Sequence, residues 1–194
     1  MNRHALIFFL ALLLAPLGLQ GAQSPPMVGE PFPDIRLAIP ENPDHRAYLG
    51  LSGEGPVPLR AIDAEVLLIE IFNMYCPHCQ REAPAVNRFF QRIQQDPALN
   101  RRVKLIGIGV GNSPFEVDHF RKVYQVPFPL FPDPDYQIHK ALGEVRTPYF
   151  IGVRIGKNGA ARVFYSQLGG SQSAQKLLDQ MLQNAGLDAK GAAK

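Results

Sequence analysis

Cys76 and Cys79 are the only thiols of the 194-residue chain, and they stand two residues apart in the stretch Glu70-Ile-Phe-Asn-Met-Tyr-Cys-Pro-His-Cys79. A bridge that serves stability gains most when it closes a long loop, and this pair closes almost none. A structural zinc site commonly takes four ligands. Only two thiols are present, and His45, His78, His119 and His139 show no paired ligand spacing. Thiol–disulfide exchange is therefore the favoured chemistry. A metal site is the weaker alternative, and no metal is expected. Glu70 is the third reactive group, a lone acid inside the apolar run Val-Leu-Leu-Ile-Glu-Ile-Phe. If both faces of that run are covered, its carboxyl is buried, its pKa is raised, and it can accept and return a proton. If the run lies at a sheet edge, the acid simply reaches water.

The elements around these residues decide how they act. Residues 66–72 are short, apolar and rich in β-branched side chains, which predicts a buried strand. Val66, Leu68, Glu70 and Phe72 share one face, and Leu67, Ile69 and Ile71 the other. Pro77 suits the first position of a helix, where its missing N–H is not needed. The run to Gln95 has helical composition, with Phe89, Phe90 and Ile93 giving an apolar side and Pro84 an expected kink. Cys76 then sits at a helix N-terminus, where N–H groups and the helix dipole favour a thiolate. A protonated His78 would add to this. Cys79, one turn in, is the more buried thiol. These positions make Cys76 the attacking thiol and Cys79 the resolving one.

Further elements follow. Val103 to Val110 reads as a core strand, and Ser113 to Glu116 as a capping box opening a helix to about Tyr124. Phe128 to Phe131 suggests a short strand, and Pro134 to Leu142 a short helix ended by Gly143. Tyr149 to Ile155 and Ala160 to Gln167 form an expected hairpin. Ser171 or Ser173 is the expected cap of a last helix bearing Leu177, Leu178, Met181 and Leu182. Upstream, His45 to Leu51 and Val57 to Ile62 are expected to pair across Gly53-Glu-Gly.

The chain is 46% hydrophobic and carries a net charge of +3, enough for one good core and too little charge to suggest a nucleic-acid surface. Its first residues have the layout of a secretory leader: a basic head, an apolar run from Ala5 to Leu19, then Gly21 and Ala22. An uncleaved membrane anchor is the alternative. The expected organisation is a leader over 1–22, one domain over 23–185 and a loose tail over 186–194. Export to the periplasm follows, with membrane contact only if the leader is retained.

At these residues the chain resembles the thioredoxin superfamily. That family places a buried acid six residues before the first cysteine, a Cys-x-x-Cys at the helix start, and a proline eight residues after the first cysteine; Glu70, Cys76, Cys79 and Pro84 match. It also carries a cis-proline facing the disulfide and followed by a strand, which Thr147-Pro148-Tyr-Phe-Ile fits. The resemblance implies a thioredoxin α/β fold and a substrate groove at Thr147 and Pro148, with Tyr75, Pro77 and His78 beside it. It spans about Gly29 to Asn184. A central helix-strand insertion between Val110 and Thr147 is similar to the peroxiredoxin-like and TlpA/ResA-like branches, and an N-terminal hairpin extension to the TlpA/ResA branch, whose members often carry tryptophan where this chain has Tyr75. The Cys-Pro-His-Cys dipeptide resembles that of the oxidant DsbA. Architecture and dipeptide thus point opposite ways on direction. The expected protein is a monomeric periplasmic thiol–disulfide oxidoreductase with no cofactor beyond its own Cys76–Cys79 disulfide. Its partners are protein thiols or disulfides and an unidentified redox partner. Two alternatives are a peroxiredoxin-like thiol peroxidase and a copper-binding maturation protein, which His139 or His119 would serve as ligand.

Overall fold

The computed structural model describes residues 24–169 and 174–187. The leader read over 1–22 and the candidate caps Ser171 and Ser173 fall outside the described residues.

The first described elements are β1 (Arg36–Leu37), α1 (Pro43–Leu49) and β2 (Val57–Pro58). β1 and β2 pair antiparallel, so an N-terminal two-stranded extension exists. It does not use the strand expected at 45–51, which is helical. Asn42 explains why: its side chain accepts the N–H groups of Asp44 and His45, Pro43 takes the first helical position, and Gly50 ends the helix at φ 65°. These three local signals set a helix where a strand was expected.

β3 (Val66–Phe72) is buried along its whole length and leads into α2 (Pro77–Gln95). β4 (Val103–Val110) runs parallel to it and is followed by α3 (Pro114–Val123), whose Ser113–Glu116 capping box is formed. β5 (Leu130–Asp133) lies two residues later than the strand expected at 128–131. Phe128 is drawn into the core instead, at 1% exposure. β5 pairs only with β4, and Pro132 is tolerated there because an edge strand need not donate from every residue. α4 (Gln137–Ala141) is shorter than its expected span; Tyr136 takes a left-handed conformation and Asp133 accepts the N–H groups of Ile138 and His139. β6 (Tyr149–Ile155) and β7 (Ala161–Leu168) form the expected hairpin, and α5 (Ala174–Asn184) closes the described chain. The tail is packed further than expected: Leu187 is buried and donates its N–H to the Leu182 carbonyl.

The sheet has five strands in the order β5-β4-β3-β6-β7, with β3 central. Its two faces bury different partners. Val66, Leu68 and Phe72 pack with Val86, Phe89 and Ile93 of α2 and Leu178 and Met181 of α5. Leu67, Ile69 and Ile71 pack against Leu37, Leu49 and Leu59 of the N-terminal extension. A strand covered on both faces reads as a continuous apolar run. Any polar side chain on it is held away from water, and β3 carries one.

Candidate active site

Residues 73–75 turn the chain from the end of β3 into α2, and Cys76 is the N-cap. Its Sγ accepts the Cys79 N–H at 3.4 Å, and its thiol donates to the Thr147 carbonyl at 3.4 Å. The Thr147–Pro148 bond is cis. The structure thus brings Cys76, Pro77, Thr147 and Pro148 together at one end of the sheet. Burial alone would raise the Cys76 thiol. The donors from Cys79, Thr147 and the His78 N–H outweigh it, and the thiol is held below its ordinary range. Thr147 serves both forms, its carbonyl accepting from the thiol and its side chain donating to the thiolate.

Cys79 has the opposite environment. It is wholly buried, and burial first, then the Glu70 charge, push its thiol far above the ordinary thiol range. Both cysteines are free. His78 is exposed, and its Nδ1 lies 2.9 Å from Arg81 Nη2. A guanidinium can only donate, so Nδ1 accepts, and Arg81 is the fixed cation beside the ring. Tyr75 is 65% exposed, with its hydroxyl donating to Glu116 Oε1 at 2.6 Å.

Glu70 is 3% exposed, and its Oε1 is buried without a hydrogen-bond partner among the described residues. It faces α2 from β3, between Gly107 and Phe150 on the neighbouring strands. Its pKa is raised to about 8, first by burial, then by the charge of Glu82, then by Cys76. Glu82 was missed in the sequence. It lies on α2 three residues after Cys79, a spacing that puts both on one helix face and that the sequence displays plainly. Its Oε2 is within 3.2 Å of the position a Cβ would take on Gly169, which would also lie 3.1 Å from Pro148 Cγ and 2.8 Å from Phe150. Gly169 therefore leaves room for Glu82 and Pro148 together. Gly169→Ala is expected to lower stability by roughly 1–3 kcal/mol through overpacking. Thermal unfolding checks it; an unchanged melting temperature would contradict the packing.

His139 Nε2 donates to the Val145 carbonyl at 2.8 Å, bracing the segment that leads to Thr147. His119 stacks on Phe115 at the surface. Among the described residues no three His, Cys, Asp or Glu side chains gather as a metal site.

Known proteins with this fold carry related chemistry in their names. A thioredoxin domain of a thiol-disulfide oxidoreductase from Bacteroides vulgatus superposes with a TM-score of 0.58 at 11% identity, over 79% of this chain and 96% of that one. A secreted Mycobacterium tuberculosis disulfide oxidoreductase homologous to Escherichia coli DsbE gives a TM-score of 0.54 at 16% identity, over 77% and 95%. A thioredoxin-like protein from Aeropyrum pernix gives 0.53 at 16%, over 77% and 88%. Identities this low establish the shared fold and no more. No curated protein matches the chain. The sequence profile of the AhpC/TSA family matches residues 28–165, which includes the central sheet from β3 to β6, both cysteines and Glu70. The chain belongs to the AhpC/TSA family, within the thioredoxin superfamily.

Proposed function

We propose that this chain is an exported thiol–disulfide oxidoreductase that exchanges electrons with protein thiols or disulfides through Cys76 and Cys79. The observation that carries the reading is the contrast between the two thiols: one is a helix N-cap with several donors aimed at it, the other is buried near Glu70, whose Oε1 has no hydrogen-bond partner among the described residues. In the reducing direction, the Cys76 thiolate attacks one sulfur of a substrate disulfide. The other sulfur leaves as a thiolate and takes a proton. Cys79 then gives its proton to the Glu70 carboxylate and attacks Cys76 Sγ, which frees the second substrate thiolate. The substrate has gained two electrons and the pair has become a disulfide. The same steps reversed oxidise a dithiol substrate. No cofactor beyond the pair is required. Export is supported by the leader pattern over 1–22 and by the secreted fold neighbour. No helix among the described residues is long and apolar enough to cross a membrane.

The family match also admits a thiol peroxidase. Peroxidase chemistry needs only one attacking thiol and a peroxide, whereas exchange uses both cysteines in turn. The test runs both reactions with one dithiol donor. The expected result is reduction of a disulfide-bonded protein, abolished in Cys76→Ser and in Cys79→Ser, with hydroperoxide consumption no faster than in the double variant. Rapid peroxide consumption that survives Cys79→Ser would favour the peroxidase.

A further inference from the structure

In the loop that delivers Cys76 to the start of α2, three successive backbone N–H groups are held. Met74 donates to Asn112 Oδ1 at 2.8 Å, Tyr75 to Asn73 Oδ1 at 2.8 Å, and Cys76 to the Asn73 carbonyl at 3.0 Å. Asn73 Nδ2 donates to the Val110 carbonyl at 2.7 Å, and the Tyr75 hydroxyl reaches Glu116. The loop is therefore moored to the segment 110–116, between β4 and the first turn of α3.

Asn112 differs from the other moorings. It is wholly buried, its Oδ1 holds Met74, and its Nδ2 has no hydrogen-bond partner among the described residues. A buried donor left unpaired is destabilising. The fold accommodates the side chain closely: a Cβ on Gly109 would lie 3.3 Å from Asn112 Cβ and 2.7 Å from Val117. A small apolar residue would pack here without the unpaired donor. What it would lose is the acceptor for Met74.

We propose that Asn112 is a positioning residue for the reactive thiol: by holding the Met74 N–H it sets Cys76 Sγ against the Cys79 N–H and Thr147. The proposal rests on Cys76 being the attacking thiol. The Cys79 N–H reaches Cys76 Sγ at 3.4 Å, and that bond holds only while the loop keeps Sγ over the start of α2. What disfavours the thiolate at Cys76 is burial, and the donors from Cys79, His78 and Thr147 are what offset it. The charged and titratable groups around the loop are Glu70 on β3, Cys79, His78 and Arg81 on α2, and Glu116 through Tyr75. A loosened loop thus loses donors to the thiolate while the thiol stays partly buried.

The experiment is mass-resolved alkylation of each cysteine by iodoacetamide across pH, in the reduced full chain and in Asn112→Leu, with circular dichroism to identify the folded population. Asn112→Ala is the second variant if the larger side chain prevents folding. The parent is expected to alkylate at Cys76 with a midpoint below that of an ordinary thiol. The folded variant is expected to show that midpoint shifted up by about one pH unit, which makes alkylation about tenfold slower well below it. A folded variant with the parental midpoint and only a lower melting temperature would overturn the proposal and make Asn112 purely structural. A parent in which Cys76 reacts no faster than Cys79 would instead remove the attacking-thiol reading beneath it.

Discussion

Replacing Glu70 by leucine is expected to raise the stability of the folded chain near pH 8 by about a few kcal/mol and to slow the resolving step by about 100-fold. Both effects come from one fact: the carboxyl is buried on β3 with a partnerless oxygen. Its folded pKa is about 8 against an ordinary value of 4.5. A carboxyl raised in this way keeps its proton on folding over a window in which the unfolded chain has released it. The stability of the parent is therefore fully present below pH 4.5 and declines as pH rises through about 8. The gap between Glu70→Leu and parent opens across the same window and closes in acid. Urea unfolding at several pH values measures it. A gap that is constant with pH would place the carboxyl in water, and a parent that loses stability relative to the variant only as pH falls below 4.5 would place it in an ion pair.

The kinetic half has its own signature. At pH 7 a group with a pKa of about 8 is roughly one-tenth ionised, so the proton acceptor for Cys79 is present but scarce. Release of a mixed disulfide by the parent is expected to accelerate as pH rises toward 8, and the variant to lose that limb. Glu82 sharpens the effect, because its charge on α2 is the second cause of the raised pKa. A mutation at Glu82 should lower the Glu70 pKa and move the limb toward acid.

The central strand, the helix behind it and the acid between them were legible in the sequence because a strand buried on both faces and a helix opened by proline leave local marks. Val66–Phe72 alternates between two apolar cores, and the acid interrupts only one of them. α1 was not read as a helix: residues 45–51 were expected as one strand of a hairpin, and a helix of seven residues leaves little periodicity to read. Its signal is the Asn42 cap, a direct hydrogen bond. Glu82 was visible as a third residue after Cys79 but had no apolar context to single it out. Asn112 could not be found at all. Its partner is Met74, 38 residues away, and nothing in either neighbourhood announces the contact.

Cys79→Ser is expected to accumulate a mixed disulfide with substrate through Cys76, and Cys76→Ser is expected to accumulate none. The asymmetry follows from position. Cys76 is the helix N-cap, partly exposed, with its thiol held below the ordinary range. Cys79 is buried, with its thiol pushed far above that range. A buried neutral thiol is a poor attacker, so it acts only on the sulfur already bonded to its neighbour. The most direct measurement is intact and peptide mass spectrometry of both variants after exposure to a disulfide-bonded protein at pH 7. The account predicts an adduct mapped to Cys76 in most of the Cys79→Ser chains and a trace at most at Cys79 in the Cys76→Ser chains. Equal adducts on both variants, or a larger one at Cys79, would contradict it.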